Sequence, residues 1–161
     1  MLKNEKMIEK SVVRQIVDEF ISGTNYFVVD VNVSADNQIL IELDSEDGFS
    51  IDACAELTKF VESKLDREVE DYELEVGSPG LSTPFKVLEQ YKKYIGSEVD
   101  VLDNENTKWQ GVLLSADEQQ FVIEITYKAK PEGAKRKIDV TENITFTYDK
   151  IKYTKYTIRF K

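Results

Sequence analysis

Eight consecutive residues, Gly77-Ser78-Pro79-Gly80-Leu81-Ser82-Thr83-Pro84, hold two of the three prolines and two of the seven glycines of this 161-residue chain. Proline fixes φ and removes a backbone donor, while glycine loosens the backbone, so neither helix nor strand continues through such a run. The run predicts a boundary between domains at residues 1–80 and 81–161. Gly77, Ser78, Pro79, Gly80, Leu81 and Pro84 form the interdomain joint.

The sequence before the joint changes its hydrophobic period several times. Ile8, Val12, Ile16 and Phe20 recur every fourth position and predict an amphipathic helix over residues 4–22, ended by Gly23. Phe27, Val29, Val31 and Val33 then alternate with polar residues. Ala35-Asp36-Asn37-Gln38 reads as a turn, after which Ile39, Ile41 and Leu43 resume the alternation as the second arm of a hairpin. Ser50 is a good helix N-cap with Asp52 in the first turn, and Cys54, Leu57, Val61 and Leu65 mark the apolar face of the helix that follows. Tyr72, Leu74 and Val76 alternate as a third strand. Two helices on one face of a small sheet satisfy this pattern.

After the joint, Phe85 to Ile95 reads as a short helix closed by Gly96. Five strands are expected around Val99 and Val101, Trp109 to Leu114, Phe121 to Tyr127, Ile144 to Tyr148, and Tyr156 to Phe160. Eleven of the seventeen aromatic residues lie here, which suits the core of a small, strongly bent sheet or barrel. The fold class is therefore α+β.

Composition narrows the function classes. With no histidine, the chain lacks Ser-His-Asp and Cys-His catalysis and His-ligated zinc. Cys54 is the single cysteine, so no internal disulfide or CxxC site forms. Its place on an apolar helix face reads as a small core residue, not a nucleophile. No apolar run approaches the roughly 20 residues of a membrane span, and residues 1–10 lack the apolar segment of a signal peptide. A soluble, intracellular, cytoplasmic chain with no membrane partner is expected. Asp44, Glu46 and Asp47 miss the ligand spacing of a calcium loop and read as a solvated acidic loop. Gly77-Ser78-Pro79-Gly80 formally matches a GxxG nucleic-acid clamp, but it follows a strand in an acidic half that repels phosphate. No metal, cofactor or catalytic residue is assigned.

Charge is the most informative property. The formal net charge is −10, yet residues 1–80 carry 7 basic and 19 acidic side chains, whereas residues 128–161 carry 10 basic and 4 acidic. Lys128, Lys130, Lys135, Arg136 and Lys137 flank a loop at Pro131 to Gly133, and Lys150, Lys152, Lys155, Arg159 and Lys161 follow. Lys155, Thr157, Arg159 and Lys161 are expected on the outer face of the last strand, opposite Tyr156, Ile158 and Phe160. Such a set neutralises phosphates and binds RNA. Tyr127, Tyr148 and Tyr153 are candidates for base stacking, against the commoner role of tyrosine in cores. The acidic half suits a basic protein surface.

Three stretches carry a family resemblance. Tyr72-Glu73-Leu74-Glu75-Val76-Gly77-Ser78-Pro79-Gly80-Leu81 resembles the signature of the bacterial ribosome maturation factor RimP family, an alternating strand running into a Ser-Pro-Gly-Leu joint. Gly48 to Ala55 resembles the start of that family's second helix, and Tyr94 to Val99 the beginning of its C-terminal barrel. This chain has Ser82-Thr83-Pro84 where members commonly carry an Asp-Arg-Pro-like run, and Gly77 where serine is frequent.

The resemblance implies an N-terminal two-layer α/β domain (α-β-β-α-β) and a C-terminal Sm-like β-barrel with a short leading helix. It implies no catalysis, and binding to the immature small (30S) ribosomal subunit near the decoding region. The expectation that follows is a monomeric assembly factor with two partners: a basic ribosomal protein and adjacent 16S rRNA. Lys128, Lys130, Lys135, Arg136, Lys137, Lys150, Lys152, Lys155 and Arg159 are the candidate contact residues. The rival readings are a generic Sm-like RNA-binding or adaptor protein without a ribosomal role, and a carboxylate enzyme with a metal.

Overall fold

The computed structural model describes residues 8–158. The chain divides into two compact units, Met1–Pro79 and Gly80–Lys161. Among the described residues no helix is long and apolar enough to cross a membrane.

The first unit runs α1 (Lys10–Ile21), β1 (Phe27–Val33), β2 (Gln38–Asp44), α2 (Ile51–Lys64) and β3 (Glu73–Gly77). The sheet order is β1-β2-β3, with β1 antiparallel and β3 parallel to β2. A hairpin makes the first pairing, and α2 is the crossover that a parallel pairing requires. Ile39, Ile41 and Leu43 of the central strand are fully buried, as their alternation predicts. The Ser50 side chain accepts a hydrogen bond from the Ala53 N–H at 3.0 Å and caps α2.

The four-residue repeat mislocates the buried face of α1. Val13, Ile16 and Val17 are buried, while Val12 is 43% exposed. A helix turns about 100° per residue, so a strict repeat of four drifts about 40° per step. Ile8 is buried but precedes the helix, and the expected residues 4–7 lie outside the described segment.

In β1 a register shift between Val28 and Asp30 changes which residues face inward. Val29 and Val31 are buried as the alternation predicts, but Val28 joins Val31 and Val33 at the core cluster while Val29 stands outside it. Asn37, at φ 57°, ties three segments together. Its Oδ1 accepts from the Ile8 N–H at 2.9 Å, its Nδ2 donates to the Asp71 carbonyl at 3.2 Å, and its carbonyl accepts from the Glu73 N–H at 3.0 Å.

The second unit runs α3 (Leu88–Lys93), β4 (Glu98–Asp103), β5 (Lys108–Ala116), β6 (Gln120–Ala129), β7 (Ile138–Thr147), a 3₁₀ turn (Tyr148–Lys150) and β8 (Ile151–Tyr156). The helix is shorter than expected. The Phe85 N–H donates to the Thr154 carbonyl at 2.8 Å, and the buried Gln90 Oε1 takes the Lys86 and Val87 N–H groups, which holds residues 85–87 extended.

The five strands form one antiparallel sheet in the order β7-β6-β5-β4-β8. The expected closed barrel is not formed: among the described residues no ladder joins β7 to β8. The β5–β6 ladder stops at Glu124, and β6 continues with β7 alone. Phe121 anchors the core, with ring centroids 4.9 Å from Tyr91 and 5.4 Å from Phe146.

The last two strands differ most from expectation. β7 begins at Ile138, six residues before Ile144. β8 is Ile151–Tyr156, earlier than the expected Tyr156 to Phe160, because its ladder with β4 ends at the Val99–Tyr156 pair.

Candidate nucleic-acid interface

From Gln120 to Ala129, β6 pairs with β7 without interruption, but β5 covers only Phe121 to Glu124. Beyond Glu124 the two strands continue as a two-stranded arm, and Thr126, Tyr127 and Lys128 on one strand and Ile138, Asp139 and Thr141 on the other are exposed. A loop over residues 130–137 joins them. The Ala134 N–H donates to the Pro131 carbonyl at 2.9 Å, and Gly133 takes a left-handed φ of 81° that β-branched or bulky residues avoid.

The arm carries five of the sequence-predicted basic residues. Lys128, Lys130, Lys135, Arg136 and Lys137 are all exposed at its end, and residues 128–137 hold one acid, Glu132. Lys128 Nζ pairs with Asp139 Oδ1 at 2.9 Å. Among the described residues the other four hold no ion pair.

The remaining basic residues lie elsewhere. Lys150 and Lys152 follow the opposite end of β7, about 30 Å along the strand from the loop at the rise of an antiparallel strand. Lys152 Nζ bonds Asn106 Oδ1. Lys155 is half-buried, and its ammonium stands 4.7 Å from the centre of the Tyr153 ring. Thr157, expected on an outer face, is buried and donates to Asp100 Oδ1 at 2.8 Å, while Ile158 is exposed. Arg159 and Lys161 lie outside the described residues. The predicted set is thus divided between an arm at one edge of the sheet and the strand at the other.

Of the three candidate stacking rings, Tyr148 packs against the core and its hydroxyl donates to the Asp117 carbonyl at 2.6 Å. Tyr153 is half-buried. Tyr127 is 43% exposed on the arm, with its hydroxyl 3.3 Å from Glu142 Oε1. The sequence could have revealed the arm through the alternation Ile138-Asp139-Val140-Thr141, which pairs with Thr126 to Ala129.

A cleft of about 440 Å³ lies in the same unit, lined by Phe85, Tyr91, Tyr148, Ile151, Tyr153 and Thr154 among others. At its floor the Tyr91 hydroxyl donates to Thr154 Oγ1 at 2.8 Å, and burial pushes the Tyr91 hydroxyl up to a pKa of about 12. Asp103 is held below the usual carboxylate range, chiefly by the Trp109 indole N–H at 3.0 Å.

In the first unit, the sheet carries a groove lined by Asn32, Gln38, Leu40, Glu42, Glu73 and Glu75 among others. Asp44, expected in a solvated loop, is 5% exposed. Ser45 beside it is also buried, and its hydroxyl donates to the Gly48 carbonyl at 2.6 Å, which folds the turn inward. Among the described residues no group of three or more His, Cys, Asp or Glu could hold a metal. Cys54 is half-buried, not enclosed as expected, because Ala53 takes the inward position. Desolvation still raises its thiol pKa.

At the joint, Gly77 ends β3 opposite Glu42, and the Gly80 carbonyl accepts from both the Thr83 N–H at 3.2 Å and its hydroxyl at 2.6 Å. Neither Gly77 nor Gly80 takes a left-handed φ. The turn is closed by Thr83 and stiffened by Pro79 and Pro84, not by glycine conformations. Ser78 is exposed, and so is Leu81, at 57%.

Comparison with known proteins gives a consistent result. A family model described as the RimP N-terminal domain matches residues 16–82. The chain is 41% identical to the ribosome maturation factor RimP of Porphyromonas gingivalis strain W83, over 91% of this chain and 96% of that protein. It is 35% identical to the protein of the same name from Christiangramia forsetii, over 96% of this chain and all of that protein. Against the Flavobacterium psychrophilum protein the identity is 30%, over 88% and 92%.

Proposed function

Because the chain belongs to the ribosome maturation factor RimP family, we propose that it serves maturation of the small ribosomal subunit by binding, without catalysing a reaction. The observation that carries this reading is the arm: four exposed cations that hold no ion pair among the described residues, Lys130, Lys135, Arg136 and Lys137, at the end of a two-stranded extension from the second unit. Clustered cations of this kind contact phosphates and release counterions. They suit 16S rRNA of an immature subunit near its decoding region.

A basic ribosomal protein is the second partner, and the acidic first unit is its docking side. Glu73 and Glu75 are exposed along the groove around Leu40. Complementary charge across such a contact speeds encounter and disfavours acidic partners. The absence of histidine and the raised thiol pKa of Cys54 support a binding role.

The second unit follows an Sm-like plan in this reading, since a short leading helix precedes five antiparallel strands and the last returns beside the first. The units are taken as separate domains, 1–80 and 81–161, of a cytoplasmic monomer. Affinity-tagged chain, recovered from cells of its source organism, tests the reading. Co-sedimentation with small-subunit precursors and their 16S rRNA is expected. Association with messenger RNA alone would instead favour a generic Sm-like RNA-binding protein.

A further inference from the structure

The uninterrupted register of the arm sorts its side chains onto two faces. Tyr127 stands opposite Val140 and Ala129 opposite Ile138, while Lys128 faces Asp139 and Thr126 faces Thr141. Side chains of a directly paired couple share one face, and successive couples alternate. One face of the arm therefore carries Ile125, Tyr127, Ala129, Ile138 and Val140, with a single acid, Glu142 opposite Ile125, that accepts from the Tyr127 hydroxyl, and the other face is polar throughout. On the apolar face Tyr127 is 43% and Ile138 50% exposed. A two-stranded ribbon gains nothing for its own fold by holding an aromatic and an isoleucine in water, and exposed apolar surface of this kind marks interaction sites.

Two properties select the occupant. The loop just beyond this face brings Lys130, Lys135, Arg136 and Lys137, which favour a polyanion. The exposed phenol ring and the isoleucine beside it offer a flat platform of the kind on which unpaired bases stack. A regular RNA duplex uses neither property well, since its bases are paired and its major groove is too narrow for side chains to read. Resting on the rRNA reading above, we infer that the Tyr127–Ile138 face of the arm is a stacking platform for unpaired bases of single-stranded or looped RNA, with the loop cations holding the adjoining phosphates. Lys152 and Lys155, bonded to Asn106 and set over Tyr153, take no part.

The test uses the full chain, a fluorescent uridine decamer and a 20-base-pair RNA duplex. The wild type binds the decamer more tightly than the duplex. Tyr127→Ala weakens decamer binding about tenfold, the scale of losing one stacked base, with the salt slope unchanged. Tyr127→Phe keeps wild-type affinity, since it retains the ring and gives up only the hydroxyl that reaches Glu142. A circular dichroism spectrum and a melting curve like those of the wild type establish that each variant is folded. Equal binding of decamer by Tyr127→Ala and wild type overturns the inference, as does a preference for the duplex. If Tyr127→Ala loses affinity for small-subunit precursors but not for the decamer, the face docks a protein and the inference fails. A wild type that binds the decamer but never sediments with small-subunit precursors sinks the ribosomal reading and leaves the platform standing.

Discussion

Lys128 and Asp139 face each other across the β6–β7 ladder and form an ion pair of 2.9 Å, so one of the five basic residues of the arm is already neutralised. Both side chains are well exposed, and such pairs contribute about 0–1 kcal/mol to stability. The consequence is for binding. Asp139→Asn should leave stability within about 0.5 kcal/mol, free Lys128 for phosphate, and steepen the salt dependence of decamer binding by up to about 0.7 unit, the single-strand value per neutralised phosphate. Lys128→Gln should change that slope less than Lys137→Gln. Titrations at several salt concentrations measure both, and an Asp139→Asn slope equal to wild type would remove Lys128 from the set that meets phosphate.

β5 passes from pairing with β4 to pairing with β6 at Val112, and Gly111 is the residue just before that changeover. A Cβ there would lie 2.4 Å from the Glu124 carbonyl oxygen, a backbone atom that cannot swing aside. Gly111→Ala should cost at least about 1–3 kcal/mol, the range for overpacking. Gly77→Ala is the control: a Cβ there meets nothing within 4 Å and φ is not left-handed. It should stay within about 0.5 kcal/mol of wild type or gain slightly. Urea unfolding of the two variants side by side gives the answer, and equal stabilities would mean that the strand crossing is looser than described.

Tyr91 links α3 to β8 through Thr154, and burial raises its hydroxyl pKa from 10.0 to about 12. Between these values the unfolded chain loses the proton while the folded chain keeps it. This contribution to stability is therefore present below pH 10 and is lost as pH rises from 10 towards 12. Tyr91→Phe should lower stability at neutral pH by about 1–2 kcal/mol, because Thr154 is left without its donor. It should also fall less steeply than wild type over that alkaline range. Melting curves of both proteins from neutral pH into that alkaline range test the sign.

Cys54 packs partly against the core and its thiol pKa is raised by burial. Cys54→Ala should cost no more than about 1 kcal/mol, the low end for a small core truncation. Alkylation of the native thiol at neutral pH should be slower than that of the urea-unfolded chain, since less thiolate is present. Equal rates would place the thiol in water.

Much of the first unit was legible in its sequence because its core elements are locally consistent. The alternation of Ile39, Ile41 and Leu43 belongs to a central strand, and Ser50 caps α2 with its own side chain. The errors arose where a partner sets the geometry. The register shift beside Val29 is fixed by pairing with β2, and the start of β8 by pairing with β4. The basic residues were visible as a charge run, but not their division between two edges of the sheet, which depends on strand order. The exposure of Tyr127 was hidden for the same reason. Its sequence neighbours resemble those of a core strand, and only the end of the β5 ladder at Glu124 leaves it in water.

We propose that the arm binds RNA of the immature small subunit through its cations. The direct measurement is the salt dependence of binding to purified small-subunit precursor particles, for wild type and for the variant carrying glutamine at Lys128, Lys130, Lys135, Arg136 and Lys137. All five side chains are exposed, so the variant should fold as the wild type does. The variant should bind more weakly, with a salt slope shallower by about one unit for each phosphate that it no longer neutralises. A folded variant that binds the particles with unchanged affinity and unchanged slope would contradict it.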